Sequence, residues 1–255
     1  MLELKNVSLG YGGTDVVRDV SLRIGEGENI CVIGPNGCGK TTLLKAIAGL
    51  LPYRGSINLG GAEVSKMKPR EIASKIALLS QTAQVFFSYS VFETVMMGRY
   101  VHIKDGVWGS PTKADEEIVM RCLETVSMAN ERDREISHLS GGQLQRVYLA
   151  RTLAQEPEII LLDEPTNHLD LKYQIELIDH LSKWSSESGH TVVGVLHDIN
   201  LVMHLSNHIM LMNEGAAAFV GDIEEIIRDG TLSEVFRVDI AGYMLKTLRK
   251  WETVV

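Results

Sequence analysis

The feature that most constrains this chain of 255 residues is a glycine-rich loop between an apolar run and a helical pattern. The loop, GPNGCGKT at residues 34–41, fits G-x-x-x-x-G-K-[ST] and directly follows the apolar run Ile30–Ile33. Strand, loop and helix in this order form the context in which the pattern binds phosphate. The residues after the loop predict a helix with one buried face, formed by Leu43, Leu44, Ile47 and Leu50.

The residue types of the loop suit a nucleotide. Its glycines let backbone N–H groups turn inward around phosphates, Lys40 would reach the β- and γ-phosphates, and the Thr41 hydroxyl would ligate Mg²⁺. Cys38 is expected to fill space, because a thiolate there would repel the nucleotide. Tyr11, after the first predicted strand, is either an adenine-stacking aromatic or an exposed turn residue. The predicted nucleotide-binding residues are Tyr11, Gly34, Pro35, Asn36, Gly37, Cys38, Gly39, Lys40, Thr41 and Thr42.

Three other strand-like runs end in polar side chains. IILLDE ends in Asp163 and Glu164, IALLSQ ends in Gln81, and VVGVLH ends in His197. Parallel strands deliver their ends to one edge of an open α/β sheet, where ligands bind, so these side chains are expected to meet the γ-phosphate. Asp163 would hold Mg²⁺ through water, and Glu164 could polarise the attacking water. The alternatives are a charged strand end that caps the next turn and a histidine satisfied by local hydrogen bonds.

A second predicted anion site lies about a hundred residues after the loop. In HLSGGQLQR, residues 138–146, Ser140, Gly141 and Gly142 precede an apolar run with helical spacing. A small polar residue and glycines at a helix start bind anions, because free N–H groups and the helix dipole point at the ligand. Why a chain of this size carries two such sites is not answered by either pattern alone.

Composition narrows the class of protein. The net charge of −8 argues against a nucleic-acid partner bound by phosphate neutralisation. The three cysteines have no paired spacing and predict reduced thiols rather than a disulfide framework. The sequence shows no secretory signal pattern, and no apolar run approaches the roughly 18 residues of a membrane helix. We therefore expect a soluble protein that serves a membrane only through a partner.

The order of strand and helix patterns predicts an interrupted sheet domain. Strand-like and helical runs alternate over about residues 1–84 and again over 158–255, which predicts an α/β fold with a buried, mostly parallel sheet. Between them, residues of about 85–157 are mainly helical. The helices predicted there are Val91–Arg99, Asp115–Met128 and Gln143–Gln155.

Taken together, these motifs resemble a known family. GPNGCGKTT, LSGGQ at 139–143, LLDEPTNHLD and VLHD occur in the order found in ATP-binding subunits of ABC transporters, and the resemblance covers nearly the whole chain. It implies one ABC ATPase domain with a P-loop NTPase core, an antiparallel β subdomain and a helical insertion. It also implies a head-to-tail dimer, in which the loop of one chain and the LSGGQ segment of the other clamp the same ATP. One chain would then hold half of each site.

The resemblance also implies roles for single residues. Tyr11 becomes the adenine-stacking aromatic, Gln81 the Q-loop glutamine, Asp170 the D-loop aspartate and His197 the switch histidine at the γ-phosphate. The catalytic set is then Glu164, His197 and Gln81, and the Mg²⁺ ligands are Thr41, Gln81 and Asp163. The residues expected to contact the partner's ATP are Ser140, Gly141, Gly142 and Gln143.

A softer local resemblance concerns the transported substrate. TNHLDLKYQIELIDHL and SEVFRVDI are similar to uptake ATPases for iron-siderophore, haem and cobalamin. This implies separate membrane permease subunits, a second ATPase chain that is a copy or a paralogue, and indirectly an extracellular substrate-binding protein. The place implied is the cytoplasmic face of the membrane. Phe86, Phe87 and Tyr89 would receive the permease or pack internally.

Other functions stay open from the sequence. The chain could serve an ABC exporter or a lipid-extraction system with separate membrane subunits. It could also be a soluble ABC ATPase on a scaffold, for cluster assembly or DNA maintenance, although the coiled coil of DNA-maintenance members has no counterpart here. A P-loop kinase outside the family is disfavoured by the LSGGQ segment.

Overall fold

The computed structural model describes residues 1–80, 88–103, 109–167, 169–187, 189–252 and 254. Its strands, in chain order, are β1 (Leu2–Tyr11), β2 (Thr14–Ile24), β3 (Ile30–Ile33), β4 (Arg54–Leu59), β5 (Ala62–Glu63), β6 (Ile76–Ser80), β7 (Ile159–Asp163), β8 (Thr191–Val195), β9 (His208–Asn213) and β10 (Ala216–Asp222). Its helices are α1 (Lys40–Ile47), α2 (Pro69–Ala73), α3 (Val91–Met96), α4 (Lys113–Thr125), α5 (Gly141–Ala154), α6 (Leu171–Glu187), α7 (Ile199–Leu205), α8 (Ile223–Asp229), α9 (Thr231–Phe236) and α10 (Ile240–Glu252).

Two sheets form the framework. Six strands make the larger sheet in the order β10-β9-β3-β8-β7-β6, in which all neighbours pair parallel except the edge strand β10. Four strands make an antiparallel sheet in the order β2-β1-β4-β5. The predicted α/β class with a mostly parallel sheet is confirmed, and so is the antiparallel part that the resemblance implied.

The larger sheet is buried on both faces. Along β3, Ile30 and Val32 pack into one apolar cluster together with α1 and the antiparallel sheet. Cys31 and Ile33 point the other way, into a cluster with residues of α3, α4, α5, α6 and α7. Successive strand residues face opposite sides of a sheet, so a strand covered on both faces has to be apolar throughout. This explains why β3, β7 and β8 are continuous apolar runs.

Register aligns the ends of the parallel strands. Ser80 of β6 pairs with Asp163 of β7, which pairs with Val195 of β8, and Val195 pairs with Val32 of β3. The residues that follow these strands therefore emerge along one edge of the sheet. This is the edge at which open α/β sheets bind ligands.

The helix after the glycine loop ends earlier than the sequence predicts. Leu43, Leu44 and Ile47 are fully buried as expected, but Leu50 is 61% exposed. The helix stops at Ile47, and Gly49 with its φ of 69° turns the chain away. The prediction that Leu50 faces inward was wrong, because helical spacing has no meaning beyond the last helical turn.

The region between β6 and β7 is helical in its described part. The predicted helices exist with shifted ends: α3 stops at Met96 and continues as a 3₁₀ turn over Met97–Val101. Arg99 is buried between these helices, with Nε 3.0 Å from Asp115 Oδ1 and Nη1 donating to Ala154 O at 2.7 Å. None of the described helices is both long and apolar enough to cross a bilayer.

Candidate functional site

The glycine loop turns from β3 into α1 around the ammonium group of Lys40. Gly39 caps the helix with a φ of 101°, and a Cβ there would come within 2.9 Å of Val16 O, so this position requires glycine. Lys40 is buried, and its Nζ donates to Gly34 O at 2.8 Å and to Pro35 O at 3.0 Å. An ammonium has three donors, so the described contacts leave one for a phosphate oxygen.

Two oxygen ligands meet where α1 begins beside β7. Thr41 Oγ1 donates to Asp163 Oδ1 at 2.7 Å, although the two residues are 122 positions apart in the chain. Mg²⁺ prefers oxygen, and it is usually held by one or two carboxylates, several waters and substrate phosphates. The described residues contain no group of three or more His, Cys, Asp or Glu side chains placed to hold a metal. A hydroxyl beside a single carboxylate thus fits a magnesium that arrives with its nucleotide.

Glu164 follows Asp163 and presents its carboxylate between two partners. Glu164 Oε1 lies 2.8 Å from His197 Nε2, and Oε2 accepts a hydrogen bond from Asn167 Nδ2 at 2.7 Å. Its backbone has a φ of 53°, a left-handed conformation that costs a non-glycine residue about 1–3 kcal/mol. The Glu164 N–H donates to Val195 O of β8 at 3.1 Å, which helps hold this conformation. The carboxylate is therefore oriented by His197 and Asn167, and its backbone is held by β8.

These groups line one cleft of about 570 Å³. The Glu164 and His197 side chains are 29% and 38% exposed, so both remain accessible from it. The residues along its wall are Val16, Asn36, Gly37, Gly39, Lys40, Thr41, Thr42, Glu164, Asn167 and His197. The structure brings the loop together with the ends of β7 and β8, as the sequence predicts for these positions. The cleft can accept a polyphosphate whose terminal group meets a carboxylate and an imidazole.

Other predicted residues lie apart from this wall or are not described. Gln81 lies outside the described residues, as do Phe86 and Phe87. Tyr11 is 55% exposed at the β1–β2 hairpin and is not part of the described cleft wall. Cys38 is buried under the loop, and burial raises the pKa of its thiol despite the opposing charge of Lys40. A neutral thiol agrees with the predicted space-filling role.

The second predicted anion site forms the start of α5. Gln143 N donates to Ser140 Oγ at 3.3 Å, and Ser140 N donates to Gln143 Oε1 at 3.0 Å, which makes a reciprocal capping box. Ser140 and Gly141 are exposed, whereas Gly142 is buried. These residues are not part of the described wall of the cleft. Within the described residues, the two predicted anion sites therefore do not share this cleft.

The segment after Glu164 contains a residue whose role the sequence did not predict. Asn167 lines the cleft and holds the second oxygen of Glu164. It lies in the TNHLD run, whose only use above was as part of the family resemblance. The sequence signal that could have predicted its contact with Glu164 is a side-chain amide three residues after a carboxylate. Asp170 is exposed, and its carbonyl accepts the N–H groups of Tyr173 and Gln174 at the start of α6.

Comparison with known proteins identifies relatives whose sequences are similar to most of this chain. The iron(3+)-hydroxamate import ATP-binding protein of Bacillus subtilis (strain 168) is 36% identical over 93% of this chain and 88% of its own length. The hemin import ATP-binding protein of Rhodopseudomonas palustris (strain BisA53) is 37% identical over 95% and 90%. An uncharacterized ABC transporter ATP-binding protein of Bacillus subtilis (strain 168) is 38% identical over 94% of this chain, which spans about half, 54%, of that relative.

Solved structures of ABC transporter proteins are also similar to this chain. A metal-chelate type ABC transporter in an inward-facing conformation superposes with a TM-score of 0.80 at 29% identity, covering 92% of this chain and 88% of that one. A dimeric ATP-binding cassette bound to ADP and phosphate, in a post-hydrolysis state, superposes with a TM-score of 0.73 at 29% identity, covering 88% and 99%. The family model described as ABC transporter matches residues 17–167, more than half of the sequence. The chain therefore belongs to the ATP-binding proteins of the ABC transporter family.

Proposed function

We propose that this ATPase is the motor subunit of an importer for a metal chelate of the iron-siderophore, haem or cobalamin type. The observation that carries the ATPase chemistry is the Glu164 carboxylate, held by His197 and Asn167 at the wall of the cleft that contains Lys40. The import direction is supported by the names of the relatives. These two lines of evidence are independent, because the ATPase chemistry rests on the geometry of the cleft and the import direction rests on similarity to other proteins.

The proposed chemistry assigns one task to each group. Lys40 neutralises charge on the β- and γ-phosphates, and Glu164 accepts hydrogen bonds from the attacking water and orients it in line with the leaving group. His197 contacts the γ-phosphate and keeps Glu164 in place. Thr41 and Asp163 would hold Mg²⁺, which supplies charge neutralisation between the phosphates when bound. Gln81 is assigned to the same magnesium and to the catalytic set by resemblance alone.

The separation of the two anion sites supports a dimer of two ATPase chains. The Ser140–Gln143 helix start is not part of the described wall of its own chain's cleft. We infer that a second chain brings such a site to the nucleotide. We propose that Ser140, Gly141, Gly142 and Gln143 bind the γ-phosphate held by the partner's Lys40, with Asp170 at the same interface. ATP then favours the closed dimer because it contacts both chains.

The same proposal covers the adenine, the organisation of the domain and the cell location. Tyr11 would stack on the adenine from its exposed hairpin position. The core would comprise about residues 1–84 and 158–255, with a helical subdomain of about 85–157 that faces the membrane subunits. Tyr89, at the start of that region, is 39% exposed. The protein would lie at the cytoplasmic face of the membrane, bound to permease subunits and, through them, to an extracellular substrate-binding protein.

The experiment that tests transport is a pull-down of the tagged full chain from gently solubilised native membranes, followed by mass spectrometry. We expect an apolar, many-span partner without a phosphate loop of its own, together with a substrate-binding protein. A membrane partner found without any binding protein would favour an exporter or lipid-extraction system. A purely soluble scaffold partner would refute the transport function while leaving the ATPase chemistry intact.

A further inference from the structure

The start of α5, where the LSGGQ segment begins the helix, is covered by the ring of a residue from the start of α6. A Cβ built on Gly142 would lie 2.5 Å from Cδ2, 2.6 Å from Cε2 and 2.8 Å from Cγ of Tyr173. Real Cβ atoms do not approach other atoms so closely, so the ring rests on a backbone face that only glycine provides. The second glycine of the LSGGQ segment is thus a contact surface as well as part of an anion site.

Two cationic side chains lie near this ring at the joint between α5 and α6. Arg146 Cζ lies 5.6 Å from the Tyr173 ring centroid, and Lys172 Nζ lies 5.8 Å from it. In the part of the chain that the structure describes, Gln145 Nε2 and Arg146 Nε are buried without a hydrogen-bond partner. Both residues line a small pocket beside Tyr173. The Tyr173 ring, with these cations beside it, therefore forms a contact between the start of α5 and the start of α6.

The start of α6 also contacts the loop that leads back to Glu164 and the cleft. Tyr173 N donates to Asp170 O at 2.9 Å, and the neighbouring Gln174 Nε2 donates to Leu169 O at 2.9 Å and to Thr166 O at 3.2 Å. The loop that these bonds brace also contains Asn167, whose amide holds Glu164. A continuous series of contacts therefore runs from the Glu164 carboxylate to the start of α5.

We propose that Tyr173 is a positioning residue that couples the Glu164 loop to the Ser140–Gln143 helix start of the same chain. The inference rests on the proposed function, since that helix start serves the nucleotide of the partner chain. Each chain would then adjust the Ser140–Gln143 helix start that it offers to its partner according to the state of its own Glu164 loop. Energetic coupling between two sites requires such a physically connected element.

The test measures ATP-driven dimerisation of the full chain in a Glu164→Gln background, with and without Tyr173→Ala. We expect Tyr173→Ala to weaken dimerisation about 3- to 30-fold, while ATP affinity of the monomer stays the same. Tyr173→Phe keeps the ring and should behave as the parent, because the contact with Gly142 uses ring carbons. Tyr173→Leu keeps apolar bulk without a flat ring, and it gives a second measurement if the alanine variant does not fold.

A double-mutant cycle separates positioning from general packing. Ser140→Ala removes the capping hydroxyl at the far end of the same helix start, so its effect on dimerisation should be non-additive with that of Tyr173→Ala. Additive effects, or normal dimerisation of Tyr173→Ala and Tyr173→Leu, would overturn the positioning role. If Glu164→Gln itself never dimerises with ATP, the proposed composite site fails, and the role of Tyr173 fails with it.

Discussion

Replacing Glu164 by glutamine isolates the chemical step from the shape of the site. The carboxylate has one oxygen 2.8 Å from His197 Nε2 and the other 2.7 Å from Asn167 Nδ2. A glutamine has nearly the same size. Its side-chain oxygen can accept the hydrogen bond from Asn167, and its side-chain NH₂ can donate to His197 Nε2 when the imidazole carries its proton on Nδ1. The loop should keep its geometry, and ATP should still bind.

The variant loses the negatively charged carboxylate that accepts hydrogen bonds from the attacking water. Removing general-base and positioning effects of this kind typically costs ~10²–10⁴-fold in rate, which corresponds to about 3–5 kcal/mol in activation free energy. We therefore expect kcat for phosphate release to fall at least ~10²-fold at saturating ATP. A binding titration with a fluorescent ATP analogue should give an affinity close to that of the parent protein.

A matched control lies at the other end of the same strand. Glu158 immediately precedes β7, and its side chain is 58% exposed and paired with Lys75 at 2.6 Å. Glu158→Gln makes the same chemical change about one strand length from the cleft, so it should leave turnover near normal. If Glu164→Gln also turned over at nearly the parent rate, Glu164 would not be the catalytic carboxylate and the assignment would have to be abandoned.

Three further predictions follow from the described contacts. Lys40→Ala should weaken ATP binding itself, because it removes the buried cation of the loop; an unchanged affinity in a binding titration would contradict this role. Arg99→Ala should lower the free energy of unfolding by about 3–5 kcal/mol, because it removes the cation that pairs with the buried Asp115 carboxylate. Glu156 is the more exposed partner of Arg99, with Oε2 2.6 Å from Nη1, so Glu156→Gln should cost under about 1 kcal/mol. Urea denaturation measures both. The backbone N–H of Thr112, with that residue's hydroxyl and Arg99, holds the pKa of Asp115 below its ordinary value. A carboxyl whose pKa is lower in the folded than in the unfolded state contributes stability that is fully present above the unfolded pKa of about 4. That contribution is lost as pH falls through the folded-state pKa, so Asp115→Asn should flatten the acid side of a pH–stability profile. An unchanged slope would argue against this contribution.

The cleft shows how far local pattern reaches. The glycine loop, the apolar strands and the polar residues at their ends are encoded within a few consecutive positions, so the sequence predicts both the phosphate loop and the common edge for Asp163, Glu164 and His197. A parallel sheet then needs only in-register pairing to bring these ends together, and the register of β7 and β8 provides it. The failure at Leu50 has the opposite cause, since one left-handed glycine ended a helix whose apolar pattern continued.

The sequence by itself therefore determined the local chemistry of this protein: a glycine loop of the kind that binds phosphate, two carboxylates at the end of a strand, and a second helix start of the kind that binds anions. Only the tertiary structure decided which groups touch. The hydrogen bond from Thr41 to Asp163 and the ring of Tyr173 on Gly142 join elements that no local pattern relates. Periodicity specifies a face or an end of one element, whereas a contact between elements depends on register, crossing geometry and side-chain direction. The absence of the Ser140–Gln143 helix start from the described wall of the cleft is a result of that kind.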